Sequence, residues 1–230
     1  MQSMQYGNMI QGTFVSRPNR FVARVLVDGE EVVCHVKNTG RCRELLIPGT
    51  RVWLKREENP ARKTPYSLIT VEKEGRLVNL DSQAPNKAAF EWVARTMKPE
   101  LLLREKTYGN SRFDLYFEYN GKRCFMEVKG VTLEENGVAL FPDAPTGRGV
   151  KHIYELADCV KSGYEAYLLF VIQMKGVHEF RPNDRTQPEF GEALRMARAA
   201  GVKILAVDCA VTEHSMEIDE KIAIELDETM

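Results

Sequence analysis

Arg112-Phe113-Asp114-Leu115-Tyr116-Phe117-Glu118-Tyr119-Asn120-Gly121-Lys122-Arg123-Cys124-Phe125-Met126-Glu127-Val128-Lys129 decides how the rest of the chain is read. Two alternating runs flank Asn120-Gly121, a dipeptide that supplies the positive φ angles a two-residue hairpin turn requires. With those two residues as the loop, Tyr119 faces Lys122, Phe117 faces Cys124 and Asp114 faces Glu127, in a non-hydrogen-bonded pair where side chains come closest. The period of two puts Glu127 and Lys129 on one face with Asp114 and Arg112 opposite them. Phe113, Leu115, Phe117, Met126 and Val128 are expected on the other face as core.

Facing carboxylates repel and destabilise a sheet. A divalent cation between them reverses the sign, and Mg²⁺ favours one or two carboxylates with waters and substrate phosphates. Lys129, next on that face, is placed to stabilise charge on an attacked phosphate or to position water. The plainer alternative is an ordinary hairpin with one charged face, Arg123 pairing with Glu118.

Asp114 followed by Glu127-Val128-Lys129 resembles the PD-(D/E)xK nuclease-like superfamily, with Phe113 where the motif has Pro. Three stretches extend the likeness: Ser111 to Asp114, Glu127 to Leu133, and Phe141-Pro142-Asp143-Ala144-Pro145-Thr146-Gly147-Arg148-Gly149-Val150-Lys151-His152. With Asn38-Thr39-Gly40 near the N-terminus, they resemble the sugar fermentation stimulation protein A family over nearly the whole chain. That resemblance implies DNA binding, an N-terminal OB-like domain and a C-terminal nuclease-like domain. By likeness to related nucleases, a helix before the hairpin adds a metal-ligating Glu, for which Glu91 is the candidate beside a solvent-facing role.

The 230 residues, 43% hydrophobic, are enough for one large domain or two small ones. A net charge of −1 gives no bulk case for nucleic acid. Its distribution is uneven: residues 1–80 carry 13 Lys/Arg against 8 Asp/Glu, and the remainder 19 against 25. A basic front half fits a nucleic-acid-facing domain, although it also fits an ordinary solvated surface. The five cysteines form no C-x-x-C pair, which argues against structural zinc and for free thiols in a reducing cytoplasm. No secretory pattern and no apolar run near the ~20 residues of a membrane helix is present.

Residues 1–82 read as an OB-like β-barrel. Strand-like runs cover Gly12 to Val15, Arg20 to Val27, Glu31 to Val36, Arg51 to Lys55 and Ser67 to Val71, with a turn at Asp28-Gly29. Periodicity alone leaves OB and SH3-like barrels open, and the resemblance favours OB. Lys37 to Arg43 is a basic loop in which Asn38, Thr39, Arg41 and Arg43 are candidate phosphate contacts. A solvated turn is the alternative. Arg17, Arg20 and Arg24 add basic spacing, and Phe14, Phe21 and Trp53 are stacking or core aromatics. Residues 56–65 read as a loop, and Leu80 to Pro85 as the junction.

Residues 83–230 read as an α/β domain, a mixed sheet flanked by helices. The expected order is a helix at Asn86 to Met97, a strand at Leu101 to Lys106, the hairpin, and then Val131 to Glu135, a turn at Asn136-Gly137 and Val138 to Phe141, returning beside it as a third strand. A helix at Val150 to Ser162, a strand at Glu165 to Gln173, a helix at Pro188 to Ala200 and a strand at Val202 to Val207 follow. The acidic tail after Ala210 is expected to pack peripherally. Arg148, Lys151 and His152 cluster at a helix start, where free N–H groups favour anions. They are candidate phosphate contacts, with a structural role for His152 as the alternative.

The sequence therefore points to a cytoplasmic DNA-binding protein with a phosphodiester-hydrolysing site. Asp114 and Glu127, with Glu91 or the Val128 carbonyl, would bind Mg²⁺ or Mn²⁺, and Lys129 would assist water attack. Two alternatives stand: a non-catalytic DNA-binding regulator of sugar metabolism genes, and a hydrolase of small phosphorylated metabolites. Oligomeric state is left open.

Overall fold

The computed structural model describes residues 4–38, 40–59 and 61–226. Thr39 therefore lies outside the described residues. Strand β1 (Met4–Gln5) is followed by β2 (Met9–Asn19), β3 (Val22–Val27), β4 (Glu30–Val36), β5 (Arg51–Arg56), β6 (Tyr66–Lys73) and β7 (Arg76–Asn79). β2, β3 and β4 form an antiparallel meander, β2 also pairs with β5, and β5 with β6. A parallel pairing of β4 with β6 closes five strands into a barrel, the connectivity of an OB-fold. Asp28 and Gly29 both have positive φ, as the expected β3–β4 turn requires. Ala23, Val25, Cys34, Val36, Leu54 and Leu68 fill the interior. Phe14 is buried with them and Trp53 is buried outside that cluster, so of the three candidate stacking aromatics only Phe21, 50% exposed, faces solvent.

The second domain begins with α1 (Ala84–Thr96), then β8 (Leu101–Tyr108), β9 (Ser111–Tyr119), β10 (Lys122–Val131), β11 (Leu133–Glu135) and β12 (Val138–Phe141). It continues with α2 (Gly147–Lys161), β13 (Glu165–Ile172), β14 (Glu179–Pro182), α3 (Pro188–Ala199), β15 (Lys203–Val211), β16 (Ser215–Lys221) and β17 (Ala223–Ile224). The main sheet runs β1-β16-β15-β13-β10-β9-β8. β10, β13 and β15 are parallel at its centre, which is why β13 is buried along almost its whole length. α1 covers one face, through Ala84, Ala88, Ala89 and Val93. α2 and α3 cover the other, through Ile153, Leu156, Phe190 and Leu194.

Four expectations need correction. The segment after β10 does form a hairpin at Asn136-Gly137, but β11 and β12 do not return beside β10. They join a separate sheet, β11-β12-β14-β17, because β10 spends its free edge on the parallel partner β13. The acidic tail is not peripheral: β16 pairs antiparallel with β15, burying Met216 and Ile218 while its acids face out. The expected split at residue 82 has an exception at the start of the chain. Met4–Gln5 pairs with Ser215 and Met216 in the main sheet, so the barrel is inserted after that sheet's first strand.

The fourth correction concerns the hairpin. Its register is as read, with Tyr119 opposite Lys122 and Phe117 opposite Cys124. The ladder ends at Met126 opposite Leu115, one pair short of Asp114 and Glu127. Leu115, Phe117, Met126 and Val128 pack on the α1 face, but Phe113 packs on the α2 face, against Phe125 and His152. β9 thus changes face at Asp114. β8 follows it: Arg104 pairs with Leu115, Lys106 with Phe113, and Glu105 between them has φ 55°. Strict alternation fails because two neighbouring strands are crimped together at this point.

Candidate active site

The crimp sets the geometry of Asp114. Its Oδ2 accepts the backbone N–H of Val128 at 2.8 Å, and its Oδ1 accepts Asn86 Nδ2 from the first turn of α1 at 2.6 Å. A carboxylate that takes an N–H of β10 replaces the next rung of the ladder. The two strands therefore separate where their acids would otherwise stand face to face. Burial, and then the charge of Glu127, push the Asp114 carboxyl up to about 6.

Glu127 is 4% exposed and lies on the α2 face of β10, opposite Leu168 of β13. Its Oε1 accepts from Lys129 Nζ at 2.7 Å and from His152 Nδ1 at 2.5 Å. Burial by itself raises a carboxyl; these two partners outweigh it and hold Glu127 below its ordinary value. Arg148 Nε donates to His152 Nε2 at 3.4 Å, which leaves the imidazole proton on Nδ1, facing Glu127. Glu127 Oε2 is buried without a hydrogen-bond partner. Lys129 uses one ammonium proton on Glu127, and two remain for another acceptor.

α2 holds the far side. Thr146 caps it by accepting from Gly149 N at 3.0 Å, and the helix buries His152 in the same stripe as Ile153, Leu156 and Ala157. His152 is 5% exposed and faces Glu127, not solvent. Of the residues grouped with it in the sequence, Arg148 and Lys151 are exposed at the helix start, and Lys151 lies 3.7 Å from Glu155. The residue that α1 brings to Asp114 is Asn86. Glu91, five residues on, is rotated about 140° around the helix from Asn86 and displaced by roughly 7.5 Å.

In the barrel, the loop after β4 borders a cleft of about 540 Å³ lined by Arg17, Asn19, Arg20, Arg41 and Arg43, with Ala144 from the second domain. Arg17 shapes this loop. Its guanidinium donates to the carbonyls of Arg20, Asn38, Gly40 and Arg41 at 2.7 to 2.9 Å. Arg41 N donates to Asp143 Oδ2 at 3.0 Å, tying the loop to the segment before α2. Asn38 accepts from Gly40 N at 2.8 Å. Sequence reasoning missed Asn86, the role of Arg17 in holding the loop carbonyls, and the contact of His152 with Glu127. The last had a signal, since His152 is one residue before Ile153 on the apolar stripe of α2.

The fold and site define a class: an OB barrel joined to a restriction-endonuclease-like α/β domain whose central hairpin carries two acids and a lysine. Residues 15–80 match the family model described as the SfsA N-terminal OB domain, and residues 83–215 match the sugar fermentation stimulation protein RE domain. A sugar fermentation stimulation protein homolog of Desulfitobacterium hafniense strain Y51 is 56% identical over 97% of this chain and 99% of its own length. The homolog of Clostridium beijerinckii is 54% identical over 96% and 99%. The structure of Pyrococcus furiosus SfsA in complex with Ca²⁺ matches with a TM-score of 0.87 and 28% identity, covering 98% of this chain and 99% of that one. The chain belongs to the sugar fermentation stimulation protein (SfsA) family. No helix among the described residues is long and apolar enough to cross a membrane.

Proposed function

We propose that the chain binds DNA and hydrolyses its phosphodiester bonds with the help of Mg²⁺ or Mn²⁺. The observation that carries this reading is the unpartnered, buried Oε2 of Glu127, next to an Asp114 whose carboxyl is held up to about 6. A buried carboxylate oxygen without a donor is costly, and a hard cation ligated by Glu127 and Asp114 offsets that cost. The residues present fit such an ion, and the Ca²⁺ in the description of the Pyrococcus furiosus relative supports an oxygen-ligated site. Glu91 is left out of the ligand set, because it stands about 140° around α1 from Asn86, the residue that reaches Asp114.

When bound, the ion supplies Lewis-acid polarisation of the phosphate and a water of lowered pKa. Asp114 and Glu127 would hold it; Asn86 and the Val128 N–H orient Asp114, and His152 orients Glu127. Lys129 hydrogen-bonds, through its two remaining N–H groups, the phosphoryl oxygen that gains charge as water adds; the water's proton passes to solvent, and the leaving ester oxygen takes a proton from solvent as its P–O bond breaks. Arg148 and Lys151 at the start of α2, and Arg41 and Arg43 in the barrel cleft, hold neighbouring phosphates.

The test is cleavage of labelled single- and double-stranded DNA and RNA with Mg²⁺ or Mn²⁺. Lys129→Ala is expected to lower turnover by a factor of about 100 or more with the fold intact. Equal cleavage by both proteins overturns the catalytic assignment. Binding that weakens steeply with salt, with no cleavage under either metal, supports the regulator instead.

A further inference from the structure

Behind the hairpin, where the barrel loop meets the second domain, lies a cleft of about 190 Å³. That is below the roughly 300–1,000 Å³ of sites for drug-sized ligands, so its occupant is a single small ring. Leu133, Leu140 and Phe141 give it an apolar wall, and Asn38, Asp143 and Gln173 a polar one. Gln173 is 2% exposed. Its Nε2 donates to Asn79 O at 2.9 Å, Asn79 Oδ1 at 3.3 Å and Asp81 O at 3.2 Å. Three acceptors on one side fix the amide orientation, and the carbonyl oxygen is turned to the cleft. No described donor reaches that oxygen. It stands over Gly130, where an added Cβ would lie 2.5 Å from Oε1 and 2.7 Å from Pro85 Cγ.

Gly130 follows Lys129, and Pro85 precedes Asn86, the partner of Asp114. Asp143, whose Oδ2 accepts Arg41 N, adds a second acceptor to the same wall. An apolar flank with a rim of acceptors is the chemistry that receives an unstacked base through its exocyclic amine.

Building on the nucleic-acid reading, we propose that this cleft takes one unpaired nucleobase, with an exocyclic amine directed at Gln173 Oε1. The substrate class is then single-stranded or end-frayed DNA. Cytosine, which carries the amine, is preferred there over thymine, which presents a carbonyl in the same place.

The experiment is fluorescence anisotropy of labelled dC12 and dT12 with the full chain in Ca²⁺, an ion suited to oxygen ligands such as Asp114 and Glu127, with gel electrophoresis verifying that the oligonucleotides stay intact. Wild type is expected to bind dC12 about fivefold more tightly, the order of one hydrogen bond. Two bulky substitutions from opposite walls, Ser82→Trp at the exposed mouth and Leu140→Trp, should erase the preference by weakening dC12. Thermal unfolding verifies that both variants fold, and two sites guard against either failing. Arg43→Ala, in the separate Arg-lined cleft, should weaken both oligonucleotides alike. Equal binding of dC12 and dT12 by wild type, or a preference that survives both Trp variants, overturns the base pocket and leaves the nucleic-acid reading standing. No binding of either oligonucleotide overturns both.

Discussion

Asp114 is held in a state that costs the folded protein stability near neutral pH. Its carboxyl ionises near 6 in the native state, against about 3.9 in an unfolded chain. Between those values the native protein binds the extra proton, so stability of the metal-free protein falls as pH rises from about 4 to about 6. It stays low above that window. The size is about 1–3 kcal/mol. Asp114→Asn removes the charge and keeps the shape. Its oxygen still accepts Val128 N, and its amide can face Asn86 once that side chain turns its oxygen inward. The variant is expected to melt higher than wild type at pH 8 in EDTA, to lose that advantage at pH 4, and to show no stabilisation by Mn²⁺. Thermal unfolding at the two pH values checks all three outcomes. His152 acts on Glu127 from behind. Partners of metal ligands typically contribute 10–100-fold to affinity, so His152→Ala should weaken Mn²⁺ binding in calorimetry by about tenfold. His152→Asn, whose amide nitrogen replaces Nδ1, should restore most of it, and His152→Gln should not.

At the scale of elements, the crimp across β8 and β9 explains what could be read and what could not. Asn120-Gly121 declares a turn in two residues, so the hairpin and its register followed from local chemistry. The shared change of face at Glu105 and Asp114 has no such signature. A glutamate at φ 55° is unusual, and strict period two sent Phe113 to the wrong side. The β11–β12 hairpin was legible from Asn136-Gly137, yet its sheet was not, since β14, which pairs with β12, and β17, which pairs with β14, come from far along the chain. Asp114, Glu127 and Lys129 were legible as a group because one hairpin holds them. Asn86, from another element, was not. Left-handed backbone costs a residue with a Cβ about 1–2 kcal/mol, partly offset in glycine by its greater chain entropy. Glu105→Gly should therefore leave the fold stable or raise its stability by about 0.5 kcal/mol. A β-branched residue tolerates this geometry poorly. Glu105→Val should cost about 2 kcal/mol and, by undoing the crimp, weaken Mn²⁺ binding. Denaturant unfolding and a metal titration on the same samples separate the two effects.

The molecule as a whole is tied together by buried polar contacts across its two domains. β1 docks on β16 before the barrel begins, and Tyr6 reaches back to accept from Asn79 and donate to Asp81 at the junction. On the other side of the barrel, Glu134 of β11 is 3% exposed and pairs with Lys73 and Arg76 of the barrel hairpin, both at 2.8 Å. Its other oxygen accepts Gly137 N at 2.5 Å, and its carboxyl is held below the ordinary value, since these partners outweigh the burial that would raise it. Breaking a fully buried pair costs about 3–5 kcal/mol; the partial exposure of Lys73 and Arg76 lowers this to about 2 kcal/mol. The consequence reaches further than stability, because the base-sized cleft and the Arg41–Asp143 contact both span the same boundary. Glu134→Ala is expected to turn one cooperative melting transition into two in scanning calorimetry, the barrel melting first. Glu134→Gln, which still accepts from Gly137 and Lys73, should keep a single transition. If Glu134→Ala melts as one unit with only a lower midpoint, the domains are joined by β1 and the Tyr6 network instead, and the ion cluster is a local brace.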